Sequence, residues 1–304
     1  MLKFDDYLRQ IGCEEELSAV LKSTVDSIKE ISKSIKTSDT GKAGSLNVFG
    51  EQQLTLDIFS NKIIESHLKN NPLVGIIASE ELPDEIRIGD GEYGVCFDPL
   101  DGSSLVDVNL AVGSIFGIYK TKSFIGIKGD DMLAAVVAVY GPRTTFVITV
   151  RKGVQEFVLG GEGDFVLSKE DIKVSEGKMF APGNLRACGY RQDYLDLVTF
   201  WCKNEYTLRY SGGMVPDINQ IFLKGKGIFS YPGYEKEPNG KLRLLFECGP
   251  ASLLMEEAAG AASDGKARIL SKSVVSIDQR TPIFIGSKAE VKRCEESLSS
   301  LIIR

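Results

Sequence analysis

One stretch, Phe97-Asp98-Pro99-Leu100-Asp101-Gly102-Ser103-Ser104, constrains this chain more than any other. It follows the apolar run Tyr93-Gly94-Val95-Cys96, which reads with Phe97 as a buried strand. Asp98 and Asp101 offer charged oxygens either side of a Pro-Leu step, and the Leu100 carbonyl offers a third ligand to a hard divalent cation. Pro99 has a fixed φ and restricts Asp98, so these ligands would be held before an ion arrives. Gly102 permits close approach of a ligand. The N–H groups of Gly102, Ser103 and Ser104 could cradle a phosphate if a helix starts there. The plain alternative is an Asp-Pro turn followed by a helix cap.

A second acidic pair, Glu80-Glu81, follows another apolar run, Val74 to Ala78. Both acidic groups then sit at the carboxyl ends of strands, where open α/β sheets place their ligands. Four carboxylates converging on one point repel strongly unless cations neutralise them, so metal binding accounts for them better than a solvated loop. Glu247 is a third contributor, at the end of the run Lys241 to Phe246. Lys241 and Arg243 are two apart and would point to one side of a strand, where a solvated face is the ordinary reading. Asp57 falls within Gln52 to Phe59, an amphipathic helix candidate on which a surface acid is the default.

These motifs resemble the fructose-1,6-bisphosphatase superfamily of class I type, and within it the sedoheptulose-1,7-bisphosphatases. The acidic pair and the Asp-Pro-Leu-Asp-Gly-Ser run are shared with inositol-phosphate phosphatases. Val112–Tyr119, Tyr140–Thr145 and Asn239–Glu247 match the bisphosphatases. Glu176–Ala187, Tyr206–Asp217 and Val48–Leu54 look most like the sedoheptulose branch. Tyr231-Pro232 and Pro238-Asn239-Gly240 resemble the fructose branch, so the two patterns are mixed.

The resemblance implies a layered α-β-α-β-α sugar-phosphatase fold of mixed α/β class. It implies a metal-site half over roughly 1–180 and a sugar-phosphate half over 181–304. The implied activity is Mg²⁺-dependent hydrolysis of the 1-phosphate of sedoheptulose 1,7-bisphosphate, with fructose 1,6-bisphosphate as the alternative. An inactive scaffold on the same fold is a remote one. Two or three Mg²⁺ ions, with Mn²⁺ as a substitute, would be held by Glu80, Glu81, Asp98, Asp101, Glu247 and the Leu100 carbonyl. Glu51 and Asp57 would be the acidic pair near the attacking water, with Glu81 as a further base. Asp101, Gly102, Ser103 and Ser104 would hold the leaving phosphate. Asn184, Tyr210, Gly212, Met214, Tyr231, Lys241 and Arg243 would bind the sugar and its distal phosphate. Arg209 would reach into a neighbouring subunit, which implies a homodimer and leaves a tetramer open. Known AMP-responsive relatives carry a Lys-Tyr pair where this chain has Glu92-Tyr93, so AMP should inhibit little.

Composition narrows the function classes. The net charge of −6 argues against nucleic-acid binding, which shows a basic face. No run approaches the roughly 20 apolar residues of a membrane span. The N-terminus has neither a secretory nor a transit-peptide pattern, so a cytoplasmic location is expected. Six dispersed cysteines show no CxxC pairing, and none lies in the loop Thr37–Ser45 that carries a regulatory pair in chloroplast relatives. Activity should therefore be insensitive to dithiothreitol. The single histidine, His67, lies in a helical stretch, which argues against histidine-based phosphohydrolysis.

Periodicity predicts helices over 14–36, 51–70, 189–204 and 252–262, with a continuation after Pro216. Residues 37–48 read as a polar loop and 230–240 as another. Strands are expected at 113–120, 145–150, 156–159 and 283–286. Residues 132–140 are open to either helix or strand.

Overall fold

The computed structural model describes residues 1–36, 42–46 and 52–298. Two helices come first, α1 (Phe4–Gln10) and α2 (Glu15–Ile35). In α2 the buried residues Val20, Leu21, Val25, Ile28 and Ile31 recur at helical spacing along one face. A short antiparallel ladder, β1 (Lys42–Leu46) and β2 (Gln52–Leu54), precedes α3 (Thr55–Lys69). Eight strands then make the first sheet. They are β3 (Val74–Ser79), β4 (Ile86–Arg87), β5 (Tyr93–Asp101), β6 (Val112–Lys120), β7 (Met132–Tyr140), β8 (Thr144–Thr149), β9 (Gln155–Leu159) and β10 (Phe165–Lys169). Their spatial order is β10-β9-β8-β7-β6-β5-β3-β4. All neighbours are antiparallel except β3 and β5, which run parallel.

A second sheet contains β11 (Ser175–Pro182), β12 (Thr207–Leu208), β13 (Lys226–Tyr231), β14 (Ala261–Ser263) and β15 (Ile283–Gly286), in the order β12-β11-β13-β15-β14. Interspersed are α4 (Gln192–Lys203), α5 (Met214–Lys224), α6 (Gly249–Glu257) and α7 (Lys288–Ser297).

Alternation along the strands separates three cores. On β5, Val95 and Phe97 pack towards α2 and α3, against Ile28, Ile31, Ile64 and Leu68. Cys96 points the other way, into a core shared with Val215 and Ile218 of α5, Leu253 and Leu254 of α6, and Phe229 and Ile285 of the second sheet. The outer face of the second sheet buries Phe180, Ile228 and Phe284 against Trp201 of α4 and Val291 of α7. The layers therefore run α-β-α-β-α, as the resemblance implied.

Several local expectations need correction. The expected loop over 37–48 contains β1, and the expected helix over 51–70 starts only at Thr55, with Gln52–Leu54 extended. Residues 132–140, open to either reading in the sequence, are a strand, buried on both faces and so apolar without alternation. The helix expected over 252–262 runs from Gly249 to Glu257 and ends where Ala259 takes φ +65 and the chain reverses into β14. Gly260 fits that reversal because a Cβ there would lie 2.6 Å from the Gly286 carbonyl oxygen. Residues 241–246 are not a strand: Arg243 makes one isolated bridge to Arg280, and a π-helical turn follows over Leu244–Cys248.

Candidate active site

The parallel pair β3 and β5 brings the acidic groups together. Glu80 donates its N–H to the Phe97 carbonyl at 3.1 Å, which extends the ladder beyond β3. Ser79 Oγ accepts the Glu81 N–H at 3.2 Å and donates to Asn61 Oδ1 at 2.6 Å, tying this turn to α3, the helix that carries Asp57. Asp57 is buried and faces the same cleft, so the surface-acid default does not hold.

β5 continues through Asp98-Pro99-Leu100-Asp101 with every residue buried. Pro99 interrupts the ladder, and its carbonyl accepts the Ser114 hydroxyl at 2.7 Å instead. Asp98 Oδ1 accepts the Leu100 N–H at 2.9 Å. Asp101 Oδ2 accepts the Val215 N–H at 2.7 Å from the first turn of α5. Gly102 takes φ +76, and a 3₁₀ turn over Ser103–Val108 follows. Glu247 enters from the π-helical turn, where its Oε2 accepts the Arg243 N–H at 2.6 Å.

Among the described residues, Asp98, Asp101 and Glu247 present carboxylate oxygens within 4.8 Å of one another, all three buried. Burial, reinforced by Glu80 and Asp101, pushes Asp98 well above the usual carboxylate range. Burial and the charges of Glu80 and Asp101 do the same to Glu247. Burial takes Asp101 up to about 7, although the Val215 N–H opposes it. The cluster cannot hold its full negative charge without a counter-charge. Arg243 supplies part of it: the guanidinium is 1% exposed and ion-pairs with Glu80.

This acidic floor lines a cleft of about 330 Å³. Gly102, Ser103, Ser104, Tyr210, Gly212, Met214, Tyr231 and Lys241 also line it, and Gly213 lies against Gly102, its Cα 3.4 Å from where a Gly102 Cβ would be. Burial pushes Tyr231 up to about 12 and also raises Tyr210, while the Arg186 guanidinium opposes both shifts. Of the residues singled out in the sequence, Asp57, Glu80, Glu81, Asp98, Leu100, Asp101, Arg243 and Glu247 therefore share this cleft with the phosphate- and sugar-side candidates.

Two candidates lie outside the cleft lining. Asn184 is buried and donates to the Pro232 carbonyl at 2.9 Å, bracing the turn after Tyr231. Arg209 is exposed on the segment after β12, next to Tyr210. Glu51 lies outside the described residues. His67 sits 2.9 Å from the Glu30 carboxylate, between α3 and α2, and not in the cleft lining. Gly213, next to the expected Gly212, also lines the cleft; sequence reasoning missed Phe229 and Leu242, which line it too, and the buried Asp217. Nothing in their local patterns marks them: an apolar residue in a strand (Phe229), a leucine in an apolar run (Leu242) and an acid in the first turn of a helix (Asp217) are ordinary.

The described residues contain no helix long and apolar enough to cross a membrane. The six cysteines are free thiols.

Family comparisons agree with this geometry. A model described as "Fructose-1-6-bisphosphatase, N-terminal domain" matches residues 4–170, and one described as "Fructose-1-6-bisphosphatase, C-terminal domain" matches residues 174–299. The chain is 44% identical over 297 residues to a fructose-1,6-bisphosphatase class 1 of Geobacter metallireducens, covering 96% of this chain and 94% of the relative. It is 40% identical over 299 residues to a chloroplastic sedoheptulose-1,7-bisphosphatase of Triticum aestivum, covering 97% of this chain and 76% of the relative. A crystal structure of a putative sedoheptulose-1,7 bisphosphatase from Toxoplasma gondii superposes with a TM-score of 0.92 at 33% identity, covering 97% of this chain and 98% of that one. Matched over both domains, the chain belongs to the fructose-1,6-bisphosphatase family of sugar bisphosphatases, phosphoric monoester hydrolases that use divalent metals.

Proposed function

We propose that this chain hydrolyses the 1-phosphate of sedoheptulose 1,7-bisphosphate, releasing sedoheptulose 7-phosphate and inorganic phosphate. The observation that carries the reading is one cleft lined both by a buried triad of carboxylates and by a lysine and two tyrosines. A bisphosphate has two anionic ends, and such a cleft can treat them differently.

The donor set fits magnesium. It is all hard oxygen, it is buried, and its raised carboxyl groups call for nearby positive charge. Glu80, Glu81, Asp98, Asp101, Glu247 and the Leu100 carbonyl would hold two or three Mg²⁺ ions. When bound, Mg²⁺ supplies charge to the phosphoryl oxygens and acidifies a water. The chain does the rest. Glu81, Asp57 and Glu51 accept the proton of the attacking water. The N–H groups of Gly102, Ser103 and Ser104 hold the departing phosphate where the backbone turns at Gly102. Lys241 meets the distal phosphate as a point charge. Tyr210, Met214 and Tyr231 wall the sugar, and Asn184 keeps the Tyr231 turn in place. Arg243 steadies Glu80, and its guanidinium carries five N–H donors in all for carboxylate and sugar oxygens. Arg209, exposed beside the cleft, would complete the site of a second copy in a homodimer.

Fructose 1,6-bisphosphate is a second reading. The higher identity to the Geobacter enzyme favours it. Phosphate release from the two substrates, measured side by side with Mg²⁺ and an Asp101→Asn control, separates them. A clearly higher kcat/KM for the seven-carbon substrate supports the proposal. Equal or reversed preference overturns the substrate and keeps the chemistry. Wild-type turnover no better than Asp101→Asn would mean an inactive scaffold.

A further inference from the structure

The first turn of α5 serves the cleft twice. Its Val215 N–H binds Asp101 at 2.7 Å. Two residues on, the Asp217 carboxylate turns back and accepts the Ser211 N–H at 2.8 Å. Asp217 is only 1% exposed, and its Oδ2 has no hydrogen-bond partner among the described residues. A buried carboxylate so incompletely satisfied is unfavourable for stability, so its place there calls for another explanation.

The segment it holds supplies that explanation. Tyr210, Gly212, Gly213 and Met214 line the cleft, with Gly213 packed against the Gly102 turn that follows Asp101. Gly212 sits at φ +103, and the Gly213 N–H turns back onto Ser211 Oγ at 3.3 Å. The loop is thus a tight turn tied to the core through Asp217. We propose that Asp217 is a positioning residue, holding the Tyr210–Gly213 loop against the Gly102 turn so that substrate meets this loop and the carboxylate triad together. This rests on the function proposed above. Asp217 touches no reacting atom, so its loss should weaken substrate binding and leave the chemical step intact.

The test compares wild type, Asp217→Ala and Asp217→Asn by amide hydrogen exchange and by steady-state kinetics on both sugar bisphosphates with Mg²⁺. In Asp217→Ala the amides of residues 211–213 should exchange about tenfold faster while those of β5 keep their protection. KM should rise about tenfold with kcat within about twofold. Asp217→Asn keeps one acceptor oxygen and should restore most of both effects, which a general loss of packing would not show. If Asp217→Ala fails to fold, Asp217→Ser, too short to reach the Ser211 N–H, takes its place. Unchanged exchange at 211–213 overturns the anchoring. A fall in kcat at constant KM overturns the link to binding. If wild type turns over neither substrate, the functional reading fails, and the exchange data still decide the anchoring.

Discussion

Stripped of divalent cations, this protein should be more stable near pH 5 than near pH 8, and saturating Mg²⁺ should cancel that slope. Burial, opposed by the Val215 N–H and aided by Glu80, pushes Asp101 up to about 7. An unfolded aspartate titrates near about 3.9. Between those values the folded chain holds a proton that the unfolded chain has released, so stability falls as pH rises towards 7. For one group with these two values, the difference between about pH 5 and about pH 8 is on the order of 2.5 kcal/mol. For 304 residues, an unfolding entropy of about 2.1 cal/mol/K per residue turns that into about 4 °C in Tm. Asp98 and Glu247 are raised for the same reason and act in the same direction. Mg²⁺ competes with those protons, so at about a hundredfold excess over Kd it should add about 2.7 kcal/mol near pH 8 and little near pH 5. Scanning calorimetry at both pH values, in chelator and in Mg²⁺, reads the slope directly. Asp101→Asn keeps the acceptor for Val215, so without metal it should gain stability near pH 8 and show a flatter pH profile. An identical slope with and without Mg²⁺, or in wild type and Asp101→Asn, would refute the reasoning.

Three further outcomes are expected. Arg243→Met leaves Glu80 without its ion-pair partner beside three buried acids and should cost about 3 kcal/mol in urea unfolding, with Glu80→Gln in the same chain recovering much of it. A Cβ on Gly113 would lie 2.2 Å from Val215 Cγ1 and 2.3 Å from the Ala138 carbonyl oxygen, so Gly113→Ala should push α5 away from β6 and lower both Tm and activity; a fully active, equally stable variant would contradict the packing. AMP at millimolar concentration should leave phosphate release unchanged, because Glu92 repels a phosphate and pairs with Lys120 at 2.9 Å; micromolar inhibition would sink that expectation.

The acidic floor was legible because its chemistry is local in sequence. Asp98, Leu100 and Asp101 lie within four consecutive residues, and Glu80-Glu81 follows an unmistakable apolar strand. The sugar-side candidates were legible mainly through resemblance. Lys241 and Arg243 look alike as a pair two residues apart, yet one is exposed at the cleft and the other buried against Glu80, because the chain leaves extended geometry for a π-helical turn. Asp217 and Asn184 act through backbone groups of loops that only the tertiary fold brings close, and no periodicity reports such contacts. The second sheet was mostly missed because β11 and β13 each open with polar, charged or glycine residues and have no clean alternation to mark them.

The middle helical layer has a consequence for how this chain can be divided. The two family domains meet between residues 170 and 174, yet α5 and α6, which cover one face of the first sheet, come from the second. An N-terminal fragment cut at that boundary would keep all eight strands of the first sheet and leave Ile115, Val137 and Val147 open to water on one side. The C-terminal fragment would carry the missing cover with nothing to lay it on, and Glu247 without Asp98 or Asp101. Neither piece should stand alone: the seam between them is a hydrophobic interior, and the acidic floor comes together only across it.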